Sequence, residues 1–173
     1  MPASKYEINC YGLQPSVNEQ CQLLILGSMP GVESLRQQEY YAYPRNRFWP
    51  LIFKILTGSD EVPSEYQSKL EMLLKHRIAL WDAIGACERQ GSLDTAIHNA
   101  QGNDFEAFLE KYPQIKTICC NGAASFKTFS KFNKPLLSRT DLKIYALPST
   151  SPANARWTFE MLLKKWQEAL ANI

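Results

Sequence analysis

Apolar residues fall into four short runs separated by amphipathic stretches. Leu23-Leu24-Ile25-Leu26 is continuous and closed by Gly27, the pattern of a strand covered on both faces. Ile78-Ala79-Leu80-Trp81, the run 115–120 and the run 143–147 share this design and stop at Asp82, Asn121-Gly122 and Pro148. Helical spacing lies between them. Residues 48–56 predict a helix in which Pro50 is tolerated in the first turn, and 66–76 place Leu70, Leu73 and Leu74 on one side. Asn103 or Asp104 caps a helix running to Tyr112, another follows over 123–131, and a last one begins near Asn154 with Leu162, Trp166, Ala169 and Ile173 in one stripe. The alternation predicts strands joined by right-handed crossovers: a three-layer α/β/α sandwich around a central, mostly parallel four-stranded sheet, in one domain over residues 1–173.

Composition narrows the class. A chain of 173 residues with 45% apolar and 21% charged residues has the makings of a packed core, which excludes a disordered or low-complexity protein. No apolar run approaches the roughly 20 residues of a membrane span. The start, Met1-Pro-Ala-Ser-Lys-Tyr-Glu, lacks the apolar stretch of a signal peptide, so a cytoplasmic protein is expected. Five cysteines without a C-x-x-C pair argue against zinc and iron–sulfur ligation; they read as reduced packing residues, with Cys119 and Cys120 as buried thiols. The net charge of +2 is uninformative, but from Lys127 onward eight basic residues face three acidic ones. Such a region can meet a polyanion.

In this architecture ligands bind beyond the carboxyl ends of the strands. After the first strand stands Gly27-Ser28-Met29-Pro30-Gly31, then Tyr40-Tyr41-Ala42-Tyr43-Pro44-Arg45-Asn46-Arg47-Phe48-Trp49. The turn has neither the Gly-Lys-Ser/Thr tail of a P-loop nor G-x-G-x-x-G spacing. It also lacks the G-x-S-x-G elbow that would make Ser28 a triad nucleophile. After the last strand stands Leu147-Pro148-Ser149-Thr150-Ser151-Pro152-Ala153-Asn154-Ala155-Arg156, whose hydroxyls and backbone N–H groups suit an anion, or equally an ordinary capped turn.

Together these segments resemble the hypoxanthine (deoxyinosine) branch of the uracil-DNA glycosylase superfamily. Leu80-Trp81-Asp82, Arg89-Gln90-Gly91-Ser92-Leu93-Asp94, Asn103-Asp104-Phe105 and Cys120-Asn121-Gly122 extend the likeness in the same order over nearly the whole chain. The resemblance implies a monofunctional enzyme that hydrolyses the N-glycosidic bond of a deaminated base in single- or double-stranded DNA, chiefly hypoxanthine, with uracil and xanthine as lesser candidates. It implies no metal and no cofactor, a start to base excision repair, and a monomer. The target nucleotide is flipped into a pocket.

By the same resemblance Asn46 is the catalytic residue that orients water or polarises the site. A helix cap is its other, compatible role. Phe48 is the ring on which the base stacks, and Gly27, Ser28, Met29, Pro30 and Gly31 line the site. Asp82 takes the place of an asparagine that reads the base edge, although an ionised carboxylate only accepts, and a helix cap is its rival reading. Ser149, Thr150, Ser151 and Pro152 would hold the DNA backbone, with Asn154 and Arg156 at the helix start. Ser149 and Tyr43 stand where relatives carry histidine. His76 and His98 lie outside the motifs. The alternative is a non-catalytic binder of mismatched or single-stranded DNA using the same residues.

Overall fold

The computed structural model describes residues 8–171. Strand β1 (Cys10–Tyr11) is followed by β2 (Leu23–Gly27), α1 (Val32–Gln37), α2 (Phe48–Thr57), α3 (Tyr66–Lys75), β3 (Ile78–Asp82) and β4 (Ile84–Glu88). A 3-10 turn (Asp94–Ala96) leads to β5 (His98–Gly102), α4 (Phe105–Lys111), β6 (Thr117–Asn121), α5 (Ala123–Phe132), α6 (Lys134–Leu137), β7 (Lys143–Leu147) and α7 (Phe159–Leu170).

The main sheet has the order β3-β2-β6-β7 with every pair parallel, the expected central sheet. Alternation along β2 sends its residues to two cores. Leu23 and Ile25 join Leu80 and Cys119 against Phe48, Leu51, Leu73, Leu162 and Trp166, so α2, α3 and α7 form one layer. Leu24 and Leu26 join Ile118 and Cys120 against Phe105, Phe108, Phe129 and Leu136, so α4, α5 and α6 form the other. Burial pushes the Cys119 and Cys120 thiols up to about 12, which suits packing rather than nucleophilic chemistry.

The order also creates the site. From β2 the chain moves to β3 on one side and later returns to β6 on the other, so the connections diverge where β2 and β6 lie side by side. A crevice opens at such a divergence beyond the carboxyl ends of the strands.

One sheet goes beyond the expected fold, and two expectations need correction. A second, antiparallel sheet, β1-β4-β5, adjoins the first, because the chain continues as strand β4 after Asp82 instead of entering a helix. Its edge strand, His98-Asn99-Ala100-Gln101-Gly102, carries no apolar alternation and is paired through its backbone. The cap reading of Asp82 therefore fails. The last helix begins at Phe159 rather than near Asn154, with Thr158 Oγ1 accepting from Met161 N at 3.2 Å, because residues 151–157 form turns. Leu162, Trp166 and Ala169 are buried as the stripe requires, while Ile173, like Met1 to Glu7, lies outside the described residues. Asp104 does cap α4, accepting from Ala107 N at 3.0 Å.

Trp166 joins the core to the last loop: fully buried, its indole Nε1 donates to Pro148 O at 3.0 Å. Trp166→Phe should cost about 2 kcal/mol or more, through a lost buried hydrogen bond and a small void, read by urea unfolding.

Candidate active site

A cavity of about 360 Å³ opens at this divergence. Ser28, Met29 and Gly31 after β2 form one wall; Tyr41, Tyr43 and Asn46 ahead of α2 form another. Asp94 and Ser92, Asn121 at the end of β6, and Ser149, Thr150, Ser151 and Pro152 after β7 complete it. Loops separated by more than a hundred residues thus meet at one point.

Hydrogen bonds fix the polar wall. Asn121 Nδ2 donates to Thr150 Oγ1 at 3.0 Å and to the Tyr41 hydroxyl at 3.3 Å, while Asn121 Oδ1 accepts from Thr150 N at 3.0 Å. Thr150, wholly buried, donates from Oγ1 to Asn46 Oδ1 at 2.8 Å, and Phe48 N donates to that same oxygen at 2.9 Å. A backbone N–H can only donate, so this contact identifies which end of the amide is oxygen. Both lone pairs of Asn46 Oδ1 are occupied. Asn46 therefore does help to cap α2 and also faces the cavity; its Nδ2 has no acceptor among the described residues.

Arg47 holds the last loop. Its backbone N and its Nε donate to Thr150 O at 3.1 and 3.3 Å, its Nη2 to Ser151 O and Asn154 O at 3.0 and 3.1 Å, and its Nη1 to Trp157 O. Five donated bonds from one residue order a segment with little regular structure. Within it Ser149 Oγ accepts from Ser151 N at 3.1 Å, Ser151 Oγ accepts from Ala153 N at 3.2 Å, and Asn154 Nδ2 donates to Ser149 O at 3.0 Å. Ser149, Thr150, Ser151 and Pro152 line the cavity. Asn154 and Arg156 are not among its lining residues and stand in the turns before α7.

Phe48, expected as the stacking ring, is fully buried. Its face is covered by Tyr41, 3.8 Å between centroids and 23° between planes, so of this stacked pair Tyr41 is the ring that lines the cavity, beside the more exposed Tyr43. Tyr41 adopts φ 55°, a left-handed conformation that a bulky residue holds only when its surroundings enforce it, here the Phe48 stack and the Asn121 amide.

Asp82, expected at the base edge, is likewise buried and does not reach the cavity wall. It lies behind Gly27, where an added Cβ would overlap Asp82 Oδ1, so the absence of a side chain at 27 is what admits the carboxyl. Gly27 and Pro30 support the wall; Pro30 O accepts from the buried Arg89 Nη2. Burial, then the charge of Asp94, push the Asp82 carboxyl up to about 7 against an opposing pull from Arg89, and its Oδ2 has no partner.

Arg47, Tyr41, Asn121 and Asp94 were not singled out for the site. All stand inside quoted motifs, but nothing in their spacing says which face inward. Asp94 Oδ1 accepts from Ser28 Oγ at 2.6 Å, a short charge-assisted bond. Glu33, the other acid of the cavity, is engaged by Arg36 and Gln37. Among the described residues, no group of three or more His, Cys, Asp or Glu side chains is placed to hold a metal ion.

A parallel sheet with a polar crevice of about 360 Å³ at its divergence point is the layout of an α/β/α protein that takes a small ligand beyond the strand ends. Residues 14–171 match the family model described as the uracil DNA glycosylase superfamily, and the chain belongs to that family. It is a DNA glycosylase. A protein of Methanosarcina acetivorans named hypoxanthine DNA glycosylase is 37% identical over 147 residues, 85% of this chain and 89% of the relative. One of the same name from Methanosarcina barkeri is 35% identical over 158 residues, 91% and 96% of the two chains. The solution NMR structure of a candidate uracil DNA glycosylase from Methanosarcina acetivorans superposes with a TM-score of 0.79 at 34% identity, covering 96% of this chain and 98% of that one.

Two outcomes test the site. Asp82 has a folded pKa of about 7 against an ordinary 3.8, so as pH rises between these values the unfolded state loses the proton that the fold retains. Stability should fall across that window by up to about 1 kcal/mol per pH unit and level off above it. Asp82→Asn should flatten the slope in melts taken from pH 4 to 8. Arg47→Lys removes the planar fork, and proteolysis should then cut within residues 150–157 at least tenfold faster than in the wild type, with the core melting transition retained.

Proposed function

We propose that the chain excises hypoxanthine from deoxyinosine in DNA, with uracil and xanthine as lesser substrates, and so opens base excision repair. The observation that carries the reading is the committed carbonyl oxygen of Asn46, which leaves its amide N–H groups as the functional end. Deamination replaces an amino donor by a carbonyl acceptor: adenine becomes hypoxanthine, cytosine uracil and guanine xanthine. A fixed donor-only group facing the purine six-position accepts the carbonyl of hypoxanthine and repels the amino group of adenine, and facing the pyrimidine four-position it favours uracil over cytosine in the same way. The names of the two Methanosarcina relatives support hypoxanthine as the principal base.

Chemistry follows from the same polarity. As the C1′–N9 bond breaks, its electron pair moves onto the purine, and the Asn46 N–H groups stabilise that charge. Tyr41 supplies the face against which the ring lies. Because Asn46 Oδ1 has no lone pair left for water, Asp94 takes the acceptor role. One of its oxygens is held by Ser28, and the other accepts the proton of the water whose oxygen bonds to C1′. Its negative charge also offsets the oxocarbenium character of the sugar.

Oligonucleotides carrying one inosine, uracil or xanthine, incubated with enzyme and then treated with alkali, test both assignments. Alkali-dependent breaks at inosine should fall at least 100-fold with Asn46→Ala and equally with Asn46→Asp, which keeps the acceptor and loses the donor. Asp94→Asn, which preserves the bond from Ser28, should slow single-turnover cleavage by about 100-fold without weakening DNA binding. Full activity in Asn46→Asp would overturn the donor role. Tight binding without cleavage would favour the binding-module reading.

A further inference from the structure

A second cavity, of about 620 Å³, begins where the first ends, for Ser28 and Asp94 line both. One wall is a face of α5 carrying Lys127 and Lys131, a turn apart; the facing wall includes Asn99 of edge strand β5. Phe132 also lines it and is 40% exposed, with Lys131 Nζ 5.5 Å from its ring centroid. Gly102 makes room for that ring, since an added Cβ would come within 3.0 Å of it. Among the described residues, neither lysine has a carboxylate within ion-pair distance. Two unpaired cations and an exposed ring in one groove form a combination suited to a nucleotide, phosphate on the lysines and base on the aromatic.

We propose that this groove binds the nucleotide adjoining the flipped one, on one side of the lesion, with its phosphate at Lys127 and Lys131 and its base stacked on Phe132. The inference rests on the DNA glycosylase reading. The flipped nucleotide and its neighbour share one phosphodiester, so the neighbour must lie in space contiguous with the base cavity. The groove meets that requirement through Ser28 and Asp94. A base stacked on Phe132 is free of its own helical stack, so the groove favours a single-stranded flank. The edge strand β5 has the use the sheet does not explain: a short polar strand, exposed along most of its length, placed opposite two lysines.

The test uses single-stranded inosine oligonucleotides, complete or trimmed on the 5′ or the 3′ side of the lesion, with binding read by anisotropy and cleavage by single-turnover assay. In the wild type, trimming one side, and not the other, should weaken binding at least tenfold. Lys127→Glu/Lys131→Glu, at exposed helical positions, should bind the complete strand as weakly as the trimmed one, become indifferent to trimming on that side, and lower the slope of log K against log salt by about 0.7, the share of one phosphate. Phe132→Ala should weaken binding of the complete strand roughly tenfold and leave the salt slope unchanged. Unchanged affinity and trimming dependence in the double variant would overturn the proposal. So would slowed product release with normal binding, which would place the excised base in the groove. Failure of the wild type to cleave at inosine would count against the substrate assignment alone, since the binding arms read the groove independently of chemistry.

Discussion

Two donors converge on the carbonyl oxygen of Asn46, the Thr150 hydroxyl and the Phe48 backbone N–H, and the character of the site depends on that convergence. It sets the direction of an amide that would otherwise present a donor and an acceptor indifferently. The direction is maintained from far along the chain. Asn121 at the end of β6 orients Thr150, and Thr150 sits in a loop that Arg47 holds by its carbonyls. Arg47 is itself the residue between Asn46 and Phe48, so the segment that carries the amide also carries the guanidinium fixing its partner. Both donors are fully buried, Thr150 and Phe48, where a hydrogen bond counts for more than in water and an unmade one is costly.

The parallel sheet makes the convergence possible. Its order places the ends of β2 and β6 side by side, and continuous apolar strands pack both faces beneath them. The crevice has a packed floor, and the polar residues of the site sit at the strand ends and on the loops above it. One left-handed residue also stands there, Tyr41, whose ring covers Phe48 and lines the cavity. Below lies the buried pairing of Asp82 with Gly27, in which a carboxyl pushed up to about 7 carries a proton under neutral conditions for part of the population.

The central sheet was legible because its strands are short runs rich in apolar and β-branched residues, each closed by a turn or capping residue. The second sheet was not, since His98-Asn99-Ala100-Gln101-Gly102 has no periodicity and pairs only because β4 is already in place. Position in the motif located Asn46 and the last loop, yet it could not say which end of the amide faces the cavity. Nor could it separate Phe48 from Tyr41. Both are aromatic and both lie in the motif; only their stacking order decides which ring is exposed. Asp94 was hidden for another reason: its partner Ser28 is 66 residues away, and the pair exists only when the 3-10 turn folds over β2.

The most direct measurement of the central claim is the side-chain amide signal of Asn46 in a ¹⁵N-edited NMR spectrum, identified by its loss in Asn46→Ala. The protein would be titrated with an oligonucleotide whose deoxyinosine bears a 2′-fluoro group that blocks cleavage. The account predicts a downfield shift of the Asn46 Nδ2 protons as they engage the base carbonyl, absent with deoxyadenosine at the same place. An amide signal that stays put while the lesion binds would contradict it.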